Sequence, residues 1–250
     1  RESVVDALSQ NYVALSNEVG VNIEDLYLPE EVFFAGERVP IEEDYIKEAI
    51  FDELLVNAFR HSKAIYLIKL QPRWKPMIDS VLAAYSIPSD FFYLAIAESY
   101  LQNNARSSVG ASGMWQFMPK TAKEYGLKVT NDYDMRRDPL QSTIAACQYF
   151  IKSHSKFDNW TLTAASYNRG MNGISKALEK QSVDSFYQLY LNPETSRYIY
   201  RIISFKLLLQ NPEKYGFNIS KDNYCQPYRF DRDFLSEDLP SLIDYAKNKK

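Results

Sequence analysis

A mainly α-helical body, flanked by a long N-terminal helical or irregular arm and a small C-terminal extension, is the architecture this sequence predicts. Three observations point to it. Apolar residues recur at threes and fours over much of the chain between Ile41 and Gln210, the spacing that gathers them on one face of a helix. Strict alternation of apolar and polar residues, the mark of a half-buried strand, is scarce. Helix-start combinations stand ahead of two of the periodic segments, Pro88-Ser89-Asp90 and Asp138-Pro139, where a short polar side chain can accept an orphan backbone N–H and a proline suits the first turn.

Residues 1–40 form the arm. A short helix is expected over Val4 to Ser16, followed by "LYLPEEVFFAGERVP", in which Pro29, Gly36 and Pro40 break any regular period. From Ile41 the pattern Ile41, Tyr45, Ile46, Ala49, Ile50, Leu54, Ala58 predicts an amphipathic helix. Trp74, Met77, Ile78, Val81, Leu82 and Tyr85 predict another after Pro72, and Pro88 to Asp90 opens a third, "FFYLAIAES". Helical spacing resumes at Thr121–Tyr125, Pro139–Ser153, Leu162–Asn168, Ile174–Leu178 and Arg197–Gln210, with Asp138 as the cap of the second of these. Short strands are expected only near Val129 and at "YRF" around Tyr228. After Gln210 the text turns rich in Asn, Asp and Pro. The predicted organisation is therefore an arm over 1–40, a helical domain over 41–217 and an extension over 218–250 with a short helix at Ser236–Lys247. No fixed-period repeat supports a solenoid.

Composition narrows the function classes. With 250 residues, 46% apolar content and 14% aromatics the chain can bury a sizeable core. Twenty-nine Lys and Arg against 32 Asp and Glu, for a formal charge of −3, argue against a nucleic-acid partner. Nineteen Tyr and 14 Phe suit both core packing and the stacking of sugar rings. Two histidines, His61 and His154, give a zinc site or a His-based triad almost nothing to build on. Cys147 lies in phase with Leu140, Ile144 and Ile151 and reads as a buried thiol, a bond to Cys225 being the alternative. No apolar run reaches the roughly 20 residues of a membrane-crossing helix. The chain begins at Arg1 and reads as a fragment or a mature form.

Glu98 is the residue that asks for a chemical explanation. It ends the run Phe91, Phe92, Leu94, Ala95, Ile96, which is apolar nearly all round and so buried. An apolar surround and the negative end of a helix dipole both disfavour a carboxylate, so Glu98 should hold its proton toward neutral pH. A general acid donating to a glycosidic oxygen needs that property. A solvated or salt-bridged glutamate is the plain alternative. The following passage, "NNARSSVGASGMWQFMP", supplies glycines that admit close backbone approach and polar or flat side chains, Ser107, Trp115 and Gln116, suited to a sugar.

Three blocks resemble a known family, the lytic transglycosylases with a goose-lysozyme-like fold, which cleave bacterial peptidoglycan. Glu98-Ser99 with "ARSSVGASGMWQFMPKTAKEYGL" (Ala105 to Leu127) is similar to the family's E-S and S-x-x-G-A-x-G-L-x-Q-x-M-P-x-T. "ASYNRG" (Ala165 to Gly170) resembles A-Y-N-x-G, and "ETSRYIYRI" (Glu194 to Ile202) resembles E-T-x-x-Y-V. The likeness covers about Ile41 to Phe217, and "GMWQ" with the upstream helices resembles the membrane-bound lytic murein transglycosylase D type. Met114 and Ser166 depart from the usual Leu and Ala without removing a polar group. The LysM repeats that often follow in this type are not visible in these residues.

The resemblance implies a lysozyme-like helical catalytic domain whose single acid, Glu98, cleaves the β-1,4 bond between N-acetylmuramic acid and N-acetylglucosamine and leaves 1,6-anhydro-muramic ends. It implies substrate-binding roles for Ser107, Gln116, Tyr167, Asn168 and Tyr198, the last with its hydroxyl near the catalytic carboxyl. Trp115 is open between sugar stacking and burial. Asp132, Asp134 and Asp138, in "NDYDMRRDP", read as a solvated loop with a helix cap rather than as a second catalytic carboxylate. The implied partner is the peptidoglycan glycan strand, and the implied chemistry needs no metal or organic cofactor. The implied location is periplasmic or outer-membrane-associated after export, with membrane association through a lipid anchor outside this chain. Two alternatives accompany this reading, a muramidase that hydrolyses the same bond with water and a non-catalytic peptidoglycan-binding module.

Overall fold

A computed structural model describes residues 28–230 of the chain. The expected helices at Val4–Ser16 and Ser236–Lys247 fall outside the described residues.

The described residues begin with an element that the proline and glycine breaks had hidden. Val32–Phe34 (β1) and Glu37–Val39 (β2) pair antiparallel in the register Val32 with Val39 and Phe34 with Glu37. Ala35 (φ 54°) and Gly36 (φ 81°) make the two-residue turn. Positive φ at both central positions matches the twist of the paired strands. Val32, Phe34 and Val39 face inward and join the core. This part of the arm is thus a docked hairpin, not irregular chain.

Helix α1 spans Asp44–Phe59 and buries Ile46, Ile50, Glu53, Leu54 and Ala58. Tyr45, placed on the apolar stripe by spacing, instead lies exposed, its hydroxyl donating to the Tyr187 carbonyl. Helix α2, His61–Ala84, runs without interruption through Pro72 and Pro76, which corrects the helix start expected after Pro72. A helix-interior proline costs about 3 kcal/mol, so the helix must be held by packing. Nine of its residues are buried, from Ala64 to Leu82. The carbonyls of Lys69 and Arg73, each three residues before a proline, accept the N–H groups of Cys225 and Tyr228 at 2.8 Å. Trp74 and Tyr228 rings stack 5.0 Å apart. "YRF" is accordingly not a strand but a segment laid along α2.

The remaining helices follow the predicted spacing, most of them extended by a few residues: α3 Phe91–Ser99, α4 Pro119–Glu124, α5 Pro139–Phe157, α6 Trp160–Arg169, α7 Met171–Gln181 and α8 Pro193–Gln210. Pro139 occupies the first turn of α5, and Asp138 accepts from Gln141 N at 2.8 Å. Near Val129 there is one isolated bridge, to Asp134. Mainly α is therefore the fold class. Helix α8 packs along α1 and also meets α3 and α6, so it forms the central stave.

The hairpin fastens the helices that carry the site. Ala35 N–H donates to Asp90, at the start of α3, at 2.7 Å. Lys206 of α8 donates to the same carboxylate and to the Phe33 carbonyl. Glu37 accepts from Trp160 N, Thr161 N and Thr161 Oγ1, and so caps α6.

Candidate active site

Helix α3 carries Glu98 from the buried core to a half-buried position at its C-terminal end. Phe91 to Ile96 are all buried, Ala97 and Glu98 half-buried. Tyr100 and Leu101 then take left-handed conformations (φ 54° and 61°) and turn the chain sharply away. Ser99, buried, donates to the Met114 carbonyl at 2.7 Å, tying the end of α3 to the loop that follows.

Burial is the dominant influence on the Glu98 proton and pushes its pKa up to about 7. A hydrogen bond from Tyr198 and the charge of Arg201 pull it down, while the negative charge of Glu194 pushes it up. The Tyr198 hydroxyl donates to Oε1 of Glu98. Burial and the neighbouring carboxylate hold that phenol well above its ordinary pKa, so it stays a donor. Arg201 is held by the buried Glu53 of α1, whose carboxylate also pairs with Arg197 at 2.7 Å.

Helix α6 brings Tyr167 and Asn168 to the same region. Tyr167 is half-buried against Trp115, Phe117, Tyr149 and Phe150, and its hydroxyl donates to the Trp115 carbonyl at 2.8 Å. The Glu98 charge is among the influences raising its pKa, which reflects their proximity. Asn168, next in the chain, accepts from Thr195 Oγ1 at 2.8 Å and donates to Glu194 at 3.3 Å. It therefore links α6 to the first turn of α8.

The loop from Ala105 to Met118 is braced from within. Gly113 (φ 85°) lies so close to the chain that a Cβ would stand 1.7 Å from the Arg136 carbonyl oxygen, so only glycine fits. Gln116 (φ 49°) donates its amide to Gly113 O at 2.7 Å and Ala105 O at 3.3 Å, leaving Oε1 without a partner among the described residues. Ser107 Oγ accepts from Ala111 N at 3.0 Å within the loop. Trp115 is fully buried, donating to Thr143, which decides its open reading in favour of the core.

The structure thus brings Glu98, Tyr167 and Tyr198 together, with Asn168 beside them against the start of α8, while the side-chain hydrogen bonds of Ser107 and Gln116 run to loop backbone. Asp138 caps α5, and Asp134 caps the short turn Met135–Arg137. One part of that segment was misread as solvated. Arg136 is buried, pairs with Asp134 at 2.7 Å and donates to the Gly110 and Phe117 carbonyls. Alternating acids and arginines in "NDYDMRRDP" were the available signal. Glu53, Glu194 and Arg201 were also missed, although the last two stand in the quoted third block. Cys147 and Cys225 are free thiols, Cys147 buried. Among the described residues no three His, Cys, Asp or Glu side chains gather as a metal site, and no helix is long and apolar enough to cross a membrane.

Comparison with known proteins adds the family. Residues 77–189 match the model described as the transglycosylase SLT domain. Over 139 residues it is 34% identical to the membrane-bound lytic murein transglycosylase D of Escherichia coli strain K12, covering 54% of this chain and 31% of that protein. It is 30% identical over 185 residues to a putative soluble lytic murein transglycosylase of Haemophilus influenzae, covering 68% of this chain and 31% of the relative. A putative tributyltin chloride resistance protein of an Alteromonas species is 31% identical over 94 residues, 37% of this chain and 45% of that one. The chain spans about a third of the length of the two transglycosylases. Within the matched residues lie Glu98, Ser107, Gln116, Tyr167 and Asn168; Tyr198, Arg201, Glu53 and the hairpin lie outside them.

Proposed function

We propose that the protein is a peptidoglycan lytic transglycosylase that cleaves the β-1,4 bond from N-acetylmuramic acid to N-acetylglucosamine with Glu98 as its only acid and base. The carrying observation is a half-buried glutamic acid, its pKa raised to about 7, with the Tyr198 hydroxyl on one oxygen. Such an acid is protonated often enough near neutrality to donate and ionised easily enough to accept.

In the first step the Glu98 carboxyl gives its proton to the glycosidic oxygen. The muramyl C1–O bond breaks, its electron pair leaving with the N-acetylglucosamine oxygen. Positive charge develops on the muramyl ring beside the new carboxylate. In the second step the carboxylate takes the proton of the muramyl 6-hydroxyl, whose oxygen lone pair forms the bond to C1. The product is a 1,6-anhydro ring, and Glu98 is again protonated. An intramolecular nucleophile supplies the effective concentration that a second carboxylate and a water supply in ordinary glycosidases. Tyr198 orients Glu98 and bonds its charged form; Ser107, Gln116, Tyr167 and Asn168 are assigned to holding the sugar.

The catalytic body is assigned to residues 41–217, with 1–40 and 218–250 appended to it. Peptidoglycan lies outside the inner membrane, so the protein is assigned to the periplasm or the outer membrane's inner side, with any lipid anchor lying beyond this chain. The glycan strand is the assigned partner. Purified cell wall incubated with wild-type protein should release muropeptides 18 Da lighter than their hydrolysed counterparts, the loss of one water. Glu98→Gln should release none while still binding wall. Reducing muramic ends instead of anhydro ends would reassign the protein as a hydrolase.

A further inference from the structure

Behind Tyr167 lies a concavity. An open cavity of about 540 Å³ has Tyr125 and Tyr149 among its lining, with Lys152, Lys156, Arg169 and Glu124 around them. The tyrosine rings meet at 5.6 Å, and Tyr149 meets Tyr167 at 5.0 Å. Tyr149 thus joins the cavity to Tyr167, which lies beside Glu98, and Arg169 directly follows Asn168.

Charge sets this place apart. Three cations face one carboxylate in a chain whose net charge is −3. All three cationic side chains are exposed, and among the described residues none forms an ion pair. Lys152 stands 5.9 Å over the Tyr125 ring, and Lys156 reaches Asn172 only at 3.4 Å. Arg169 lies against Gly173, where a Cβ would come within 2.9 Å of its Cγ; the glycine leaves room for the side chain. Gathering like charges is unfavourable unless an anion shares the site.

We infer that this cavity binds the free carboxylates of the peptide that branches from the glycan's muramic acid. The inference rests on the proposed reading of peptidoglycan as substrate. A guanidinium can take a carboxylate through two parallel hydrogen bonds, with the two ammonium groups as added point charges. The tyrosine rings offer flat apolar area to aliphatic peptide side chains.

The test compares glycan strands that keep their peptides with strands stripped by an amidase, using the double variant Lys152→Glu, Lys156→Glu. Both positions are exposed, so the fold should be unaffected. The expected result is a roughly tenfold rise in KM on peptide-bearing strands, with kcat and all parameters on stripped strands unchanged. In parallel, the released peptide is titrated into wild type and variant. Wild type should bind it, more weakly as salt rises, and the variant should not; inorganic phosphate at equal concentration should leave it bound. Equal loss on both strands, no loss on either, peptide binding unaltered by the substitutions, or displacement by phosphate each overturns the inference. If wild type turns over neither strand, the proposed activity fails instead, and the peptide titration alone decides the cavity.

Discussion

Tyr198 and Glu98 stand 100 residues apart in sequence and share one hydrogen bond, phenol to carboxylate. The bond favours the ionised acid and so opposes burial, which favours the protonated one. Tyr198→Phe should therefore raise the Glu98 pKa by about one unit, the worth of one hydrogen bond to a charged group. Activity should drop roughly tenfold or more through lost orientation. A pH–rate profile checks both; an unmoved profile would deny the bond any part in tuning the acid.

For the wild type, kcat/KM on purified glycan should fall as pH rises through about 7, where the free enzyme loses the proton it must donate. The slope should approach tenfold per pH unit. A rate flat to pH 9 would exclude Glu98 as the acid.

Stability should carry the same signature of the same proton, falling as pH rises. The folded pKa, about 7, lies above the ordinary 4.5, so the folded state binds more protons between those values and loses stability as pH rises through them. Glu98→Gln removes the buried charge. It should leave stability unchanged at pH 4 and raise it at pH 8, by on the order of 1–3 kcal/mol. Denaturant melts at the two pH values measure this, and equal shifts at both would contradict it.

Glu37 caps α6 with both carboxylate oxygens. Glu37→Ala strands two backbone N–H groups at the start of the helix that carries Tyr167 and Asn168, and should cost about 1–3 kcal/mol. Thermal melting reads the loss. A hairpin that merely covers the core would lose no more than about 0.5 kcal/mol at this half-buried position.

Gly113→Ala should be the most damaging small substitution, since its methyl group would overlap the Arg136 carbonyl at 1.7 Å and φ is 85°. A loss of roughly 3 kcal/mol or more is expected. Gly110→Ala, at φ 92° with nothing within 4 Å, should cost only about 1 kcal/mol.

Much of the helical frame was legible because its signals are local. The spacing of Ile46, Ile50 and Leu54, or Asp138 capping a helix that starts at Pro139, can be read from neighbours in the chain. Pro72 misled for the same reason: a local breaker was overruled by a buried stripe that only the packed molecule supplies. The hairpin was hidden because a two-residue Ala-Gly turn sits among Pro29, Gly36 and Pro40, and three-residue strands are too short to show alternation. Arg136 read as solvated because its acid partners stand beside it, whereas its two carbonyl partners, Gly110 and Phe117, are 26 and 19 residues away.

By itself the sequence determined the helices, most of their starts and the three blocks that bear the family likeness, since periodicity, caps and motifs depend on residues near in the chain. Tertiary structure alone decided which water Glu98 loses, that Glu53 holds Arg201 beside it, that a hairpin clamps three helices and that three cations ring one cavity. Desolvation and Coulomb interaction act through space, and distance in space is what the order of residues leaves unwritten.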